Sequence, residues 1–134
     1  INSLFLKFNK EAIHDKYVFY EGSIYKYQDF MDMIICKAKK YIVIIDNHAD
    51  INVIKQINKN NIKILLITNN NTCNSDIKNI VVRKNIFFKD VFIFVDGDTL
   101  YHANEYENNN YISINIIKDK ELIASFRRKL FFKL

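Results

Sequence analysis

The sequence contains no proline and no tryptophan, and only two glycines and two cysteines in 134 residues. The glycines are Gly22 and Gly97. Neither lies near the ends of the candidate strands Tyr41–Ile45 and Ile62–Thr68, which excludes a Rossmann phosphate loop at those ends. Cys36 and Cys73 show neither a Cys-x-x-Cys pairing nor metal-ligand spacing, so no disulfide framework and no metal site is expected, and Cys36 is read as a core residue. That usage suits a reducing, cytoplasmic setting. No apolar run reaches membrane-spanning length and no cleavable signal pattern is present, so no membrane partner is expected. The lack of proline and glycine, beside abundant Ile, Asn and Lys, matches the residue bias of an A+T-rich genome, which acts independently of fold.

What is present is core-forming material. Hydrophobic residues make up 49% of the chain, with eleven Phe and eight Tyr, which argues against disorder. The length fits one domain, residues 1–134, with no internal repeat or boundary, and the start at Ile1 rather than Met is read as that of a fragment of a longer chain. A net charge of +5 is compatible with an anionic partner without requiring one.

Along the chain, Leu4, Leu6 and Phe8 suggest a short strand, His14 a solvated surface histidine, and Glu21-Gly22-Ser23 a bend between the extended segments of Tyr17–Tyr25. Tyr27, Phe30, Met31, Ile34, Ile35 and Ala38 recur at spacings of three and four, the period of an amphipathic helix. Tyr41–Ile45 and Ile62–Thr68 are too apolar for one-faced strands and predict buried parallel strands. Between them, Asp50 caps a helix with Ile51, Ile54 and Ile57 inward and Asn60-Asn61 at its end. Asn69–Ser75 is a polar loop, and Ile77–Val82 a further strand reached by a crossover too short for the usual helix. Phe87–Val95 and Thr99–Ala103 flank Asp96-Gly97-Asp98, where the Asp-Gly step predicts a two-residue hairpin turn. After a loop at Glu105–Asn110 come a strand at Tyr111–Ile117 and a final helix capped by Asp119, with Leu122, Ile123, Phe126, Leu130 and Phe131 inward. The expectation is an α/β fold: a mixed β-sheet flanked by helices.

Three segments in this order, VFYEGSIYKYQDFMDMIICKAKKYIVIIDNHAD, FKDVFIFVDGDTLYH and YISINIIKDKELI, resemble a phospholipase D-like domain. The kind resembled follows a phage-type DNA-binding domain in bacterial RhuM-like and antirepressor-like proteins, and the likeness runs from about Tyr17 onward. It implies one phospholipase D-like half. In that superfamily the working motif is His-x-Lys-x-x-x-x-Asp with a downstream Gly/Ser/Asn element. Histidine attacks phosphorus, a cation holds the phosphate charge, and one-motif proteins act as dimers.

Laid on this sequence, the motif is degenerate: Lys89 stands at the His position, Val91 at the Lys position, and only the Asp persists, as Asp96. The small-residue element falls near Asn104–Tyr106, where Glu105 and Tyr106 would crowd a phosphate. A protonated lysine is a poor nucleophile and valine neutralises nothing, so no catalysis is expected. The alternative is a phosphodiesterase or nuclease with a rearranged site using His102, Asp46 and His48. Asp96-Gly97-Asp98-Thr99-Leu100 also matches the haloacid dehalogenase Asp-x-Asp string, but the thirty-four residues after Leu100 are too few for the remaining machinery of that fold. A Mg²⁺ or Ca²⁺ site at Asp46, Asp96 and Asp98 would require the fold to bring them together.

Two basic clusters, Lys37, Lys39 and Lys40 and then Arg127, Arg128, Lys129 and Lys133, lie near helix C-terminal ends. They serve either dipole complementation or phosphate tracking. The reading is a catalytically inactive phospholipase D-like module of a phage- or virulence-associated regulator. It would serve homodimerisation, partner contact or weak DNA binding, without cofactor or metal.

Overall fold

The structure, a computed structural model, describes residues 25–84, 88–108 and 110–133. The strand expected at Leu4, Leu6 and Phe8, His14, the bend at Glu21–Ser23 and the strand start at Phe87 lie outside these residues. The elements in order are β1 (Tyr25–Lys26), α1 (Tyr27–Lys37), β2 (Tyr41–Ile45), α2 (Ile51–Ile57), β3 (Lys63–Thr68), β4 (Ile80–Lys84), β5 (Val91–Val95), β6 (Thr99–Glu107), β7 (Asn110–Ile117) and α3 (Lys120–Lys133).

The strands form one mixed sheet in the order β1-β7-β6-β5-β2-β3-β4. β2 is the seam. It pairs parallel with β3, Ile42 opposite Ile64, and antiparallel with β5, Ile42 opposite Val95. The β2–β3 crossover carries α2, whereas β4 joins β3 in parallel through residues 69–79 with no helix, the lean crossover that the sequence implied.

Strand alternation sends successive side chains to opposite faces, and both faces are covered. Ile42, Ile44, Ile64, Leu66, Ile93 and Val95 face α1 and α2, while Val43, Ile45, Ile67, Phe94 and Leu100 face Ile123 and Phe126 of α3. Every inward position expected of α1 is buried. Phe30, 1% exposed, packs edge-on against Tyr101 and Tyr111. Asp50 caps α2 by accepting from the backbone N–H groups of Asn52 and Val53, and Asp119 caps α3 through those of Glu121 and Leu122.

Several details differ from the sequence reading. Cys36 is exposed, because it shares a helix face with Asp29 and Asp32, and its thiol donates to Asp32 Oδ1; Cys73 is the buried cysteine. Leu122 is 53% exposed. Adjacent helical residues point about 100° apart, and the sheet takes Ile123. α2 ends at Ile57 with Asn58 as its C-cap, ahead of Asn60-Asn61. β6 runs on to Glu107, so the expected loop at Glu105–Asn110 is mostly strand, with Glu107 paired to Asn110. Three residues rather than two separate the paired Val95 and Thr99. Asp96 and Gly97 both have positive φ, at 55° and 76°, and Asp98 is the extra residue. The inward positions expected of Leu130 and Phe131 lie outside the described side chains.

If Phe30 is the keystone of the α1 face, Phe30→Ala lowers the unfolding free energy by about 3–5 kcal/mol in urea titrations. Leu122→Ala, at an exposed position, changes it by less than about 0.5 kcal/mol. Equal costs at the two positions would contradict this core.

Candidate functional site

The three positions that the resemblance aligns with the phospholipase D motif span the length of β5. Lys89 is exposed just before the strand, Val91 opens it at 4% exposure within the α1–α2 core, and Asp96 follows its last residue. Four residue steps separate Val91 from Val95, roughly 14 Å in an extended strand, so the two ends of the motif sit at opposite ends of the sheet.

At the first end, Asp46 terminates β2 with its side chain fully buried. Its two carboxylate oxygens are both taken: the Tyr111 hydroxyl donates to one, and the His48 backbone N–H donates to the other at 2.8 Å. Burial pushes the Asp46 carboxyl above its ordinary value, against the pull of those two hydrogen bonds. Asn47 stitches the same end together, donating to the Phe88 carbonyl and accepting from the Asn69 N–H. The structure thus brings Asp46 and His48 together.

His102 stands elsewhere. It pairs across the ladder with Phe92, stacks on that ring at 4.5 Å, and shares a 3.0 Å hydrogen bond with Asp90. Phe92 packs with the α3 core, whereas Tyr111, the partner of Asp46, belongs to the α1–α2 core. His102 and Asp46 are therefore separated by the sheet. Asp96 and Asp98 lie at the far end of β2 from Asp46, and no cluster of three or more metal-ligating side chains occurs among the described residues. The side chains of Asn104–Tyr106 lie outside those described.

At the second end, Asp96 is a structural hub. Its carboxylate accepts from the backbone N–H groups of Lys39 at 3.0 Å, Lys40 at 2.6 Å and Tyr41 at 3.1 Å, and its own N–H donates to the Tyr41 carbonyl at 2.9 Å. Burial opposes ionisation, yet the N–H donors of Lys39, Lys40 and Tyr41, with the Lys40 charge nearby, hold the carboxyl below its ordinary value.

The adjoining Gly97 offers its carbonyl to Arg127 Nη2 at 2.8 Å. The two basic clusters of the sequence thus meet at one turn: the segment carrying Lys39 and Lys40 is bound to Asp96, and α3, carrying Arg127, Arg128 and Lys129, is bound to Gly97. Arg127 spends a donor on that contact, while Arg128 and Lys129 are exposed.

Lys63, opposite Tyr41 at the start of β3, and Lys78, just before β4, are exposed at the same end. Sequence reasoning misses both. Only the parallel register of β2, β3 and β4 reveals that their first residues share an edge with Lys39 and Lys40.

A carboxylate whose native pKa is depressed stabilises the fold above its unfolded pKa, and that stability is lost as pH falls through the native value. Acid titration of the wild type is expected to lose this contribution below about pH 4. Asp96→Asn should be less stable by about 1–2 kcal/mol at pH 7, with the difference vanishing in acid, as read by thermal melts across pH. A pH-independent difference would contradict the charge-assisted contact.

No family model matches the chain, and no curated protein matches it. Solved structures do. The archaeal chromatin protein TrmBL2, whose structure is described as showing a novel mode of DNA binding, is similar over 96% of this chain with a TM-score of 0.57 and 16% identity. The chain spans 57% of that protein's length. NucT from Helicobacter pylori is similar over 80% of this chain and 91% of its own, with a TM-score of 0.54 and 18% identity. Nuc from Salmonella typhimurium, a phospholipase D family member, is similar over 80% of this chain and 90% of its own, with a TM-score of 0.52 and 17% identity. With its mixed sheet between α1 and α2 on one face and α3 on the other, the chain has a phospholipase D-like α/β fold.

Proposed function

We propose that the chain is a non-catalytic phospholipase D-like module that associates with DNA through its basic end, as a homodimer within a phage- or virulence-associated regulator. The observation that carries the DNA clause is the meeting of the Lys39-Lys40 segment and the Arg127–Lys129 helix at the Asp96–Asp98 turn, with Lys63 and Lys78 on the same edge. A row of exposed cations on fixed backbone suits phosphate tracking, which needs charge and spacing but no base-reading group. The DNA-binding description of the archaeal chromatin protein is in keeping with it.

The non-catalytic clause rests on Val91. Its side chain is part of the hydrophobic core, so the position that would answer a phosphate charge holds an alkyl group instead. Asp96, the one retained motif residue, is committed to three backbone donors. A second reading is favoured by the His102–Asp90 pair, since a carboxylate at 3.0 Å can orient an imidazole for attack on phosphorus. The two readings differ in turnover.

Purified protein should bind duplex DNA with an affinity that falls steeply between about 50 and 200 mM salt. Lys39→Ala/Lys40→Ala and Arg128→Ala should each flatten the log–log slope by about one for every phosphate that the removed cations had neutralised. Salt-insensitive or absent binding removes the DNA clause, and a strict monomer in sedimentation removes the dimer clause. The same preparation should not cleave DNA or bis-p-nitrophenyl phosphate. Turnover abolished by His102→Ala would instead establish the second reading.

A further inference from the structure

A cleft of about 800 Å³ opens at the end of the sheet opposite the basic turn, between the starts of α1 and α2, the β3–β4 connection and the β6–β7 turn. Its size is that of a small-molecule site, but its lining is unusual in kind. Four carboxamides, Gln28, Asn52, Asn108 and Asn110, line it, and no hydrogen bond to another described residue occupies their side chains. Each presents a donor and an acceptor side by side. Asn70, also in the lining, is by contrast committed: it donates to the Ala49 carbonyl and accepts from Thr72.

The phenol of Tyr27 lies in the same lining, only 7% exposed. Its oxygen accepts from the Asp50 N–H at 2.9 Å, which leaves its own O–H to donate. Burial, and secondly the Asp46 charge, push the Tyr27 hydroxyl far above its ordinary value, so it stays a neutral donor at any physiological pH. Charge in the cleft is sparse. Lys26 is an exposed cation at its edge, the exposed imidazole of His48 lies in the same lining, and Asp50 is engaged in capping α2.

We propose that this cleft binds a nucleotide, with the carboxamides and the Tyr27 hydroxyl pairing to the edge of the base and Lys26 meeting the phosphate. An apolar ligand is disfavoured, because it would leave several amide groups desolvated and unpaired. A polyanion is disfavoured too, since Lys26 is the single lysine in the lining among the described residues. A nucleobase edge has the alternating donors and acceptors that a carboxamide pairs with at two points, and one phosphate matches the single lysine of the lining. The same chemistry is offered by a free mononucleotide and by the terminal nucleotide of a single strand. Neither the degenerate motif residues nor the basic end lines this cleft, so the inference stands or falls independently of the function proposed above.

The test is calorimetric titration of the protein with adenosine monophosphate, with ribose 5-phosphate, and with a short single-stranded oligonucleotide. Gln28→Leu/Asn52→Leu alters two exposed side chains without disturbing the core, and its fold is checked by circular dichroism. Saturable binding of the mononucleotide, weakened at least tenfold in this variant, supports a free-nucleotide site. Saturable binding of the oligonucleotide alone, weakened at least tenfold in the same variant, supports a strand terminus. Absence of binding by both probes, equal binding of ribose 5-phosphate, or unaltered affinity in Gln28→Leu/Asn52→Leu would overturn the proposal.

Discussion

The reciprocal contact between Asp96 and the start of β2 is the constraint on which the architecture turns. Among the described strands, β2 alone has a parallel neighbour on one side and an antiparallel neighbour on the other, so its register fixes how the two halves of the sheet meet. Asp96 grips it from both sides of the same residue, giving its N–H to the Tyr41 carbonyl and taking the Tyr41 N–H on its carboxylate. The residue holds a φ of 55°, a conformation that aspartate tolerates better than most side chains, and its anchored carboxylate offsets the cost. Gly97, at 76°, carries the turn onward and frees its carbonyl for Arg127, which ties α3 to the same point. One turn therefore fastens α1, β2, β5 and α3 together.

An aspartate stands at each end of β2, and the surroundings give the two opposite character. Asp96 is partly exposed and surrounded by backbone donors, so it favours the carboxylate. Asp46 is enclosed between Tyr111 and the His48 turn, where burial favours the neutral acid. Its hydrogen-bond donors are the Tyr111 hydroxyl and the His48 N–H, with the His48 charge nearby, and the same end of the sheet holds the amide-lined cleft. The molecule is thus polarised along its strands, with clustered, exposed lysines and arginines at one end and amide- and hydroxyl-rich hydrogen bonding at the other.

Periodicity in the sequence reveals most of this fold, because burial alone dictates it. The α1 stripe, the two-sided apolar strands and the Asp50 and Asp119 caps are local signals with one physical solution. What the sequence hides are consequences of register. Leu122 and Ile123 are equally apolar, and only the direction of α3 decides which one meets Phe94. The run of β6 past Ala103 depends on pairing with β7, not on the intrinsic preference of Glu105 or Glu107. Abundant asparagine reads as genomic bias, yet Asn47, Asn58 and Asn70 each bind backbone groups across a loop. The candidate site is legible in part: Lys89, Val91 and the two basic clusters are plain in the sequence, but their separation to opposite ends of the sheet requires the strand directions.

The central claim is that Asp96 anchors the backbone at the start of β2. Residue-resolved amide hydrogen exchange tests it directly, comparing the wild type with Asp96→Ala. The account predicts that the Lys39, Lys40 and Tyr41 amides are protected in the wild type and exchange much faster in the variant. The weakened protection should reach into β2 while the His48 amide at the other end keeps its own. Unchanged exchange at Lys39, Lys40 and Tyr41 would contradict it.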